Sequence, residues 1–214
     1  MKLPNLHFFF GHVVADHAFT NNYKIRTYKG WKLLGHMLWS AFAVLAFTFD
    51  VLLKTPKGIT IFFIFIAIHS FGDYYRTKLY AAGKKRAIDW LELSMLGIAA
   101  LFNALVANDL SHSYLSAQFV YYLMGMSVVS VGVTYFFRNF YPGREDLPDV
   151  DGISERLAFF VFFLAGHPIL AFASLGIGYI YRLFRYKKAD PTWWLSPLLG
   201  AILSLVWRFT LYTG

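Results

Sequence analysis

The chain has 214 residues, of which 57% are hydrophobic, 20% aromatic and only 15% charged, with a formal net charge of +8. Soluble domains carry about 25% charge, and the mean hydropathy here is +0.48, so the composition argues against a soluble fold and for a membrane one. The absence of cysteine excludes a disulfide framework and a thiolate metal site. No RNA- or DNA-binding motif is present, so the positive charge is assigned to loops facing anionic lipid headgroups rather than to nucleic acid.

A membrane-spanning helix needs about 20 predominantly apolar residues. In chain order, the apolar segments are Leu3–Thr20, Lys32–Leu53, Ile59–Tyr80, Ile88–Val106 and Ser116–Phe137. The first contains His12 and Asp16 and lacks a small-residue cleavage site, so no cleavable signal peptide is expected. A polar stretch, 138–154 (RNFYPGREDLPDVDGIS), then reads as a cytoplasmic loop. Leu157–Phe184 is apolar but too long for one span. It contains Gly166-His167-Pro168, which predicts a turn and a re-entrant helical hairpin near 157–184. Trp193–Tyr212 completes the set. None of these segments alternates as a membrane β-strand would. The expected fold is all-α: a polytopic transmembrane bundle of about six spans plus the hairpin, forming one integral membrane domain over 1–214.

Loop charges set the orientation. Lys24, Arg26, Lys29 and Lys32 follow the first segment, and Arg76, Lys78, Lys84, Lys85 and Arg86 follow the third. Arg138, Arg144 and Arg156 follow the fifth. A turn-back at 166–168 brings Arg182, Arg185, Lys187 and Lys188 to the same side. That side is cytoplasmic by the positive-inside rule.

Ionisable residues inside spans are costly and mark functional sites. His12 and Asp16, then His36, then His69 and Asp73, then Asp89 and Glu92 all fall at the cytoplasmic ends of the first four spans. His12/Asp16 and His69/Asp73 are i, i+4 pairs, and Asp89/Glu92 is i, i+3, so each pair shares a helix face. Imidazoles and carboxylates converging from several helices are how bundles hold zinc, iron or manganese. Seven candidates exceed the ligands of one zinc, so either two ions bind or some carboxylates orient ligands or act as a base. The structural alternative is a network of His–Asp ion pairs, or a proton path. His17 points away from Asp16's face in a regular helix. His7, His112 and His167 read as interfacial, loop and turn-capping residues.

The segments GHVVADHAFTNNYKIRTYKGWKLLGH, IHSFGDYYRTKL and AIDWLE, with GISERLAFFVFFLAGHPILAFASLGIGYIYRLFR further on, resemble a bacterial inner-membrane family of unknown function. Its members show HxxxD, a second-helix His, HxxxD, a DQxxH-like element and a GxxxER segment. That family is similar in turn to the YdjM-type membrane-bound metal-dependent hydrolases. The resemblance covers the chain to about Arg185 and maps His12, Asp16, His36, His69, Asp73 and Asp89 onto its motif positions. Glu92 stands where the family has His, a change that favours a harder metal. The resemblance implies an intramembrane hydrolase with one or two divalent ions (Zn, Mn or Fe) and a multi-pass location in the bacterial inner membrane. Glu92 or Asp73 would act as base. The headgroup depth of the site suggests a phosphate-containing lipid substrate met by Lys29, Lys84, Lys85, Arg86 and Arg156. The alternative function is a metal-ion or proton-coupled transporter using the same residues in transit. The sequence does not speak to oligomeric state.

Overall fold

A computed structural model of the chain describes residues 3–18, 22–140, 149–186 and 191–212. Every regular element among them is helical. Lys187 and Lys188, and most of the expected polar loop (141–148), lie outside the described residues. The chain divides into two compact units, Pro4–Val120 and Tyr121–Gly214, the latter together with Met1–Leu3.

The first unit opens with α1 (His7–Val13), which continues into a π-helical turn, Val14–Ala18. A short α2 (Asn22–Ile25) leads to α3 (Trp31–Ala46) and then to α4 (Phe49–Leu52). Two long helices follow, α5 (Pro56–Ala81) and α6 (Lys85–Val106). The start of α5 is fixed locally. The Thr55 hydroxyl accepts the Gly58 amide at 3.0 Å, and Pro56, at the first helical position, has no amide to leave unpaired. The core of this unit is aromatic and aliphatic: Phe8, Val44, Leu52, Phe62, Phe65, Ala99, Phe102 and Val106. Phe8 and Phe65 meet edge to face, with centroids 4.8 Å apart, a geometry that adds about 0.5–1.5 kcal/mol beyond the area buried. At Gly11 the α1 backbone approaches α3 so closely that a Cβ would lie 2.8 Å from the Val44 Cα.

Ala117–Asn139 forms one long helix with a π-turn at Val128–Gly132 between α7 (Ala117–Ser127) and α8 (Val133–Asn139). The second unit continues with α9 (Val150–Leu164), α10 (Pro168–Tyr186) and α11 (Thr192–Tyr212). The predicted turn at 166–168 is present. Gly166 has φ +83°, and the His167 amide reaches back to the Phe162 carbonyl at 2.9 Å. This is the helix-ending bond pattern that a left-handed glycine permits. Contacts of Asp151 with Tyr186, Glu155 with Arg182 and Phe159 with Phe172 make α9 and α10 an antiparallel hairpin.

Among the described residues, four helices are long and apolar enough to cross a membrane: Pro56–Ala81, Lys85–Val106, Ala117–Asn139 and Thr192–Tyr212. The first two apolar segments give shorter helices than expected. α3 stops after 16 residues, near where the buried Thr48 hydroxyl bonds back to the Val44 carbonyl at 2.7 Å. The Asp50 carboxylate is taken up by the Tyr114 amide at 2.7 Å.

Candidate metal centre

Three helical elements of the first unit bring the central residues together. α5 carries His69, Asp73 and Arg76 at i, i+4 and i+7, one stripe of a 3.6-residue helix. His36 comes from the first turns of α3, and Asp16 from the π-turn after α1. All five are buried.

The geometry is specific. The His36 Nε2 lies 3.3 Å from the Asp16 Oδ1 and 3.4 Å from the Asp73 Oδ2. The His69 Nε2 lies 3.4 Å from the same Asp16 oxygen and 3.3 Å from the same Asp73 oxygen. Two imidazole nitrogens and two carboxylate oxygens therefore alternate around a closed ring of four donors. Donors placed tetrahedrally about 2.0–2.1 Å from an ion stand about 3.3–3.4 Å from one another. The four His–Asp separations match that spacing.

Three of the four donors also lack other partners, while the His36 Nε2 lies 3.5 Å from the Arg76 Nη2. The Asp16 Oδ1, the Asp73 Oδ2 and both ring nitrogens of His69 are buried and make no hydrogen bond. Leaving such groups unsatisfied costs about 1–3 kcal/mol each, and a cation would engage these carboxylate oxygens and the His69 Nε2 at once. Asp16, His36, His69 and Asp73 could therefore hold a metal ion. The outer carboxylate oxygens are held separately. Arg76 donates to the Asp73 Oδ1 at 2.6 Å and to the Asp16 Oδ2 at 3.3 Å. One guanidinium thus fixes both carboxylates and turns their remaining oxygens toward the histidines, the kind of outer support that orients metal ligands.

The other predicted residues are placed as follows. Glu92 is gripped by Arg26, whose Nε and Nη2 donate to its two oxygens at 3.1 and 2.9 Å, and it lies 3.8 Å from the Arg76 Nη1. Its lone pairs face arginines rather than the four-donor ring. Asp89 is 39% exposed and sits 3.7 Å from Arg26. His12 is buried beside His69, with ring centroids 5.1 Å apart. Lys29, Lys84, Lys85 and Arg86 are exposed.

Arg156 belongs to the other unit and is fully buried there. It donates to the Val129 carbonyl at 2.6 Å, the Ser130 carbonyl at 2.8 Å, the Thr134 hydroxyl at 2.9 Å, the Asp149 carboxylate at 2.8 Å and the Ser196 hydroxyl. These bonds commit all three guanidinium nitrogens within the unit. His7 is also buried, its Nε2 2.8 Å from the Leu115 carbonyl.

Arg26 and Arg76 read from the sequence only as loop cations. In the structure they are the two buried positive charges of the cluster, 5% and 2% exposed. The signal for Arg76 was available in its i+3 and i+7 spacing from Asp73 and His69. Arg26 joins Glu92 from 66 residues away, and no local pattern announces that pair.

Comparison with protein-family models, with curated proteins and with solved structures finds no match for this chain. The fold and site define a class only: a helical protein with membrane-length apolar segments and a buried His/Asp cluster suited to a metal ion.

Proposed function

We propose that the chain is a metal-dependent hydrolase of the bacterial inner membrane that cleaves a phosphate-containing lipid or lipid-linked substrate. The observation that carries the reading is the alternating array of Asp16, His36, His69 and Asp73, with its 3.3–3.4 Å separations. A divalent ion at this centre with a coordination position left open would polarise a phosphoryl oxygen and lower the pKa of a coordinated water. The chain's own residues hold the site in shape: Arg76 orients both aspartates, and Arg26 keeps Glu92 beside Arg76. The exposed Lys29 and Lys84 lie in segments that lead into α3 and α6, and the exposed Lys85 and Arg86 in the first turn of α6, where they suit an anionic headgroup at the cytoplasmic surface. In this reading the two shorter N-terminal segments also enter the bilayer, giving about six passages with the α9–α10 hairpin re-entrant.

The test is hydrolysis in detergent or proteoliposomes. Protein loaded with zinc or manganese is expected to release phosphate or a phosphorylated headgroup from phospholipid or polyprenyl phosphate, and His69→Ala to release none. Loaded protein that releases nothing from any of these would refute the reading. One observation favours the second reading, a metal transporter. The array supplies four protein donors, the count of a closed site, and a closed site suits holding an ion in transit better than presenting it to water. Zinc uptake by proteoliposomes, abolished in His36→Ala, would support transport.

A further inference from the structure

Beside the four-residue array, the first unit holds a second convergence of donors. Atoms of His12, Asp16 and His17 also lie within 4.8 Å of one another. His12 is 1% exposed, and neither of its ring nitrogens has a hydrogen-bond partner. The ring stands edge-on to His69, to Phe65 with centroids 5.8 Å apart, and to His17 with centroids 6.3 Å apart. A histidine with two unsatisfied nitrogens in apolar packing is expensive, unless a ligand uses one of them.

The π-turn creates this convergence. At 100° per residue, positions 12 and 17 of an α-helix face about 140° apart. The Val14–Ala18 turn replaces that register with i→i+5 closure, which brings residues five apart toward the same side. Single π-turns inside helices are frequent at functional sites. Asp16, within the turn, is common to both donor groups.

We propose that the centre is binuclear, with a second divalent ion held by His12, Asp16 and His17 and the Asp16 carboxylate shared between the two ions. This rests on the reading of the first group as a metal centre. The two positions differ in kind. Four protein donors close the first, whereas three leave the second with room for water or a substrate oxygen, the pattern of catalytic sites. The first ion is then an anchor and the second is the one that meets the ligand. Paired ions of this sort stand about 3.5–4 Å apart and clamp the oxygens of a phosphoryl group. Charge points the same way. Asp16, Asp73, Asp89 and Glu92 face Arg26 and Arg76, so two divalent ions still make the cluster net positive, and an anionic phosphoryl oxygen is the ligand that balances it.

The test uses the full chain purified in detergent, with the exposed His112 and His167 replaced by alanine to remove surface binding. The protein is stripped with EDTA, equilibrated with zinc chloride, desalted and analysed for zinc per chain. Two ions are expected in this background, and one each in its His12→Ala and His17→Ala derivatives. Manganese loading of the background protein gives a readout that needs no destabilised variant: two ions sharing Asp16 are expected to show an exchange-coupled spin-resonance signal. One zinc per chain with an uncoupled manganese spectrum would overturn the second site and leave the first intact. Two ions retained in both variants would also overturn it. No zinc at all would refute the metal centre on which it rests.

Discussion

Replacing Arg76 with leucine separates a metal centre from a self-contained network of ion pairs. Arg76 is 2% exposed and lies 2.6 Å from Asp73, 3.3 Å from Asp16 and 3.8 Å from Glu92. Removing one partner of a buried pair costs about 3–5 kcal/mol, because the charge left behind stays desolvated. In metal-free protein the loss falls on Asp16 and Asp73, which among the described residues keep only the His36 and His69 imidazoles at 3.3–3.4 Å as partners, because Arg26 already grips Glu92. Unfolding in EDTA is therefore expected to shift down by on the order of 10 °C. A divalent ion offers Asp16 and Asp73 a replacement partner of twice the charge. Zinc at 100 times its dissociation constant stabilises any folded binder by about 2.7 kcal/mol. In Arg76→Leu the same ion also relieves the stranded carboxylates, so the zinc-induced rise in unfolding temperature is expected to exceed that of the unmodified protein. The assay is thermal unfolding in detergent, for both proteins, with EDTA and with zinc. An equal loss in both conditions would mean that zinc does not neutralise these carboxylates, and the metal reading would be refuted.

Other substitutions test the supporting residues. Glu92→Gln breaks the two-pronged pair with Arg26 and is expected to cost about 3–5 kcal/mol of stability while leaving zinc per chain unchanged, as measured by denaturation and elemental analysis. Gly11→Ala forces a Cβ to within 2.8 Å of the Val44 Cα and should cost about 1–3 kcal/mol through overpacking. It should also weaken zinc binding in calorimetric titration, because it pushes the chain bearing Asp16 away from the helix bearing His36. In the second unit, Gly178→Ala places a Cβ against the Glu155 carboxylate that pairs with Arg182. A loss of about 1–3 kcal/mol from this overpacking is expected, with zinc binding unaltered.

The long helices were legible in the sequence because each carries its own signal. Ile59–Tyr80 opens on an almost uninterrupted apolar run, ITIFFIFIAIHSF, and the structure extends the segment only to Pro56–Ala81, with the Thr55–Pro56 start explaining the difference. The turn at Gly166 was equally local, a glycine and a proline two residues apart. The short first helices were not legible. Their apolar runs are as long as a span, but Thr48 turns its hydroxyl back toward Val44 near the end of α3, and the helix after His7 switches to π geometry at Val14. Hydropathy registers neither event.

The same division holds at the site. His69 and Asp73 share a face by spacing alone, and they do converge. Their meeting with Asp16 and His36 was inferred from depth in the membrane, which the sequence supplies through loop charges. The role of Arg26 could not be read at all, since it depends on a contact across 66 positions. Depth and the i, i+3 spacing from Asp89 point to Glu92 as a ligand or base, whereas in the structure its two oxygens accept from that arginine. His17 was set aside on α-helical geometry, and the π-turn is the reason that argument does not apply to it.

The central claim is that Asp16, His36, His69 and Asp73 bind a divalent ion. Elemental analysis of the chain as purified, beside a His69→Ala, Asp73→Ala variant that remains monodisperse in detergent, tests it most directly. The account predicts at least one transition-metal ion per chain in the unmodified protein and the loss of at least one in the variant. Equal metal content in the two, or none in either, would contradict it.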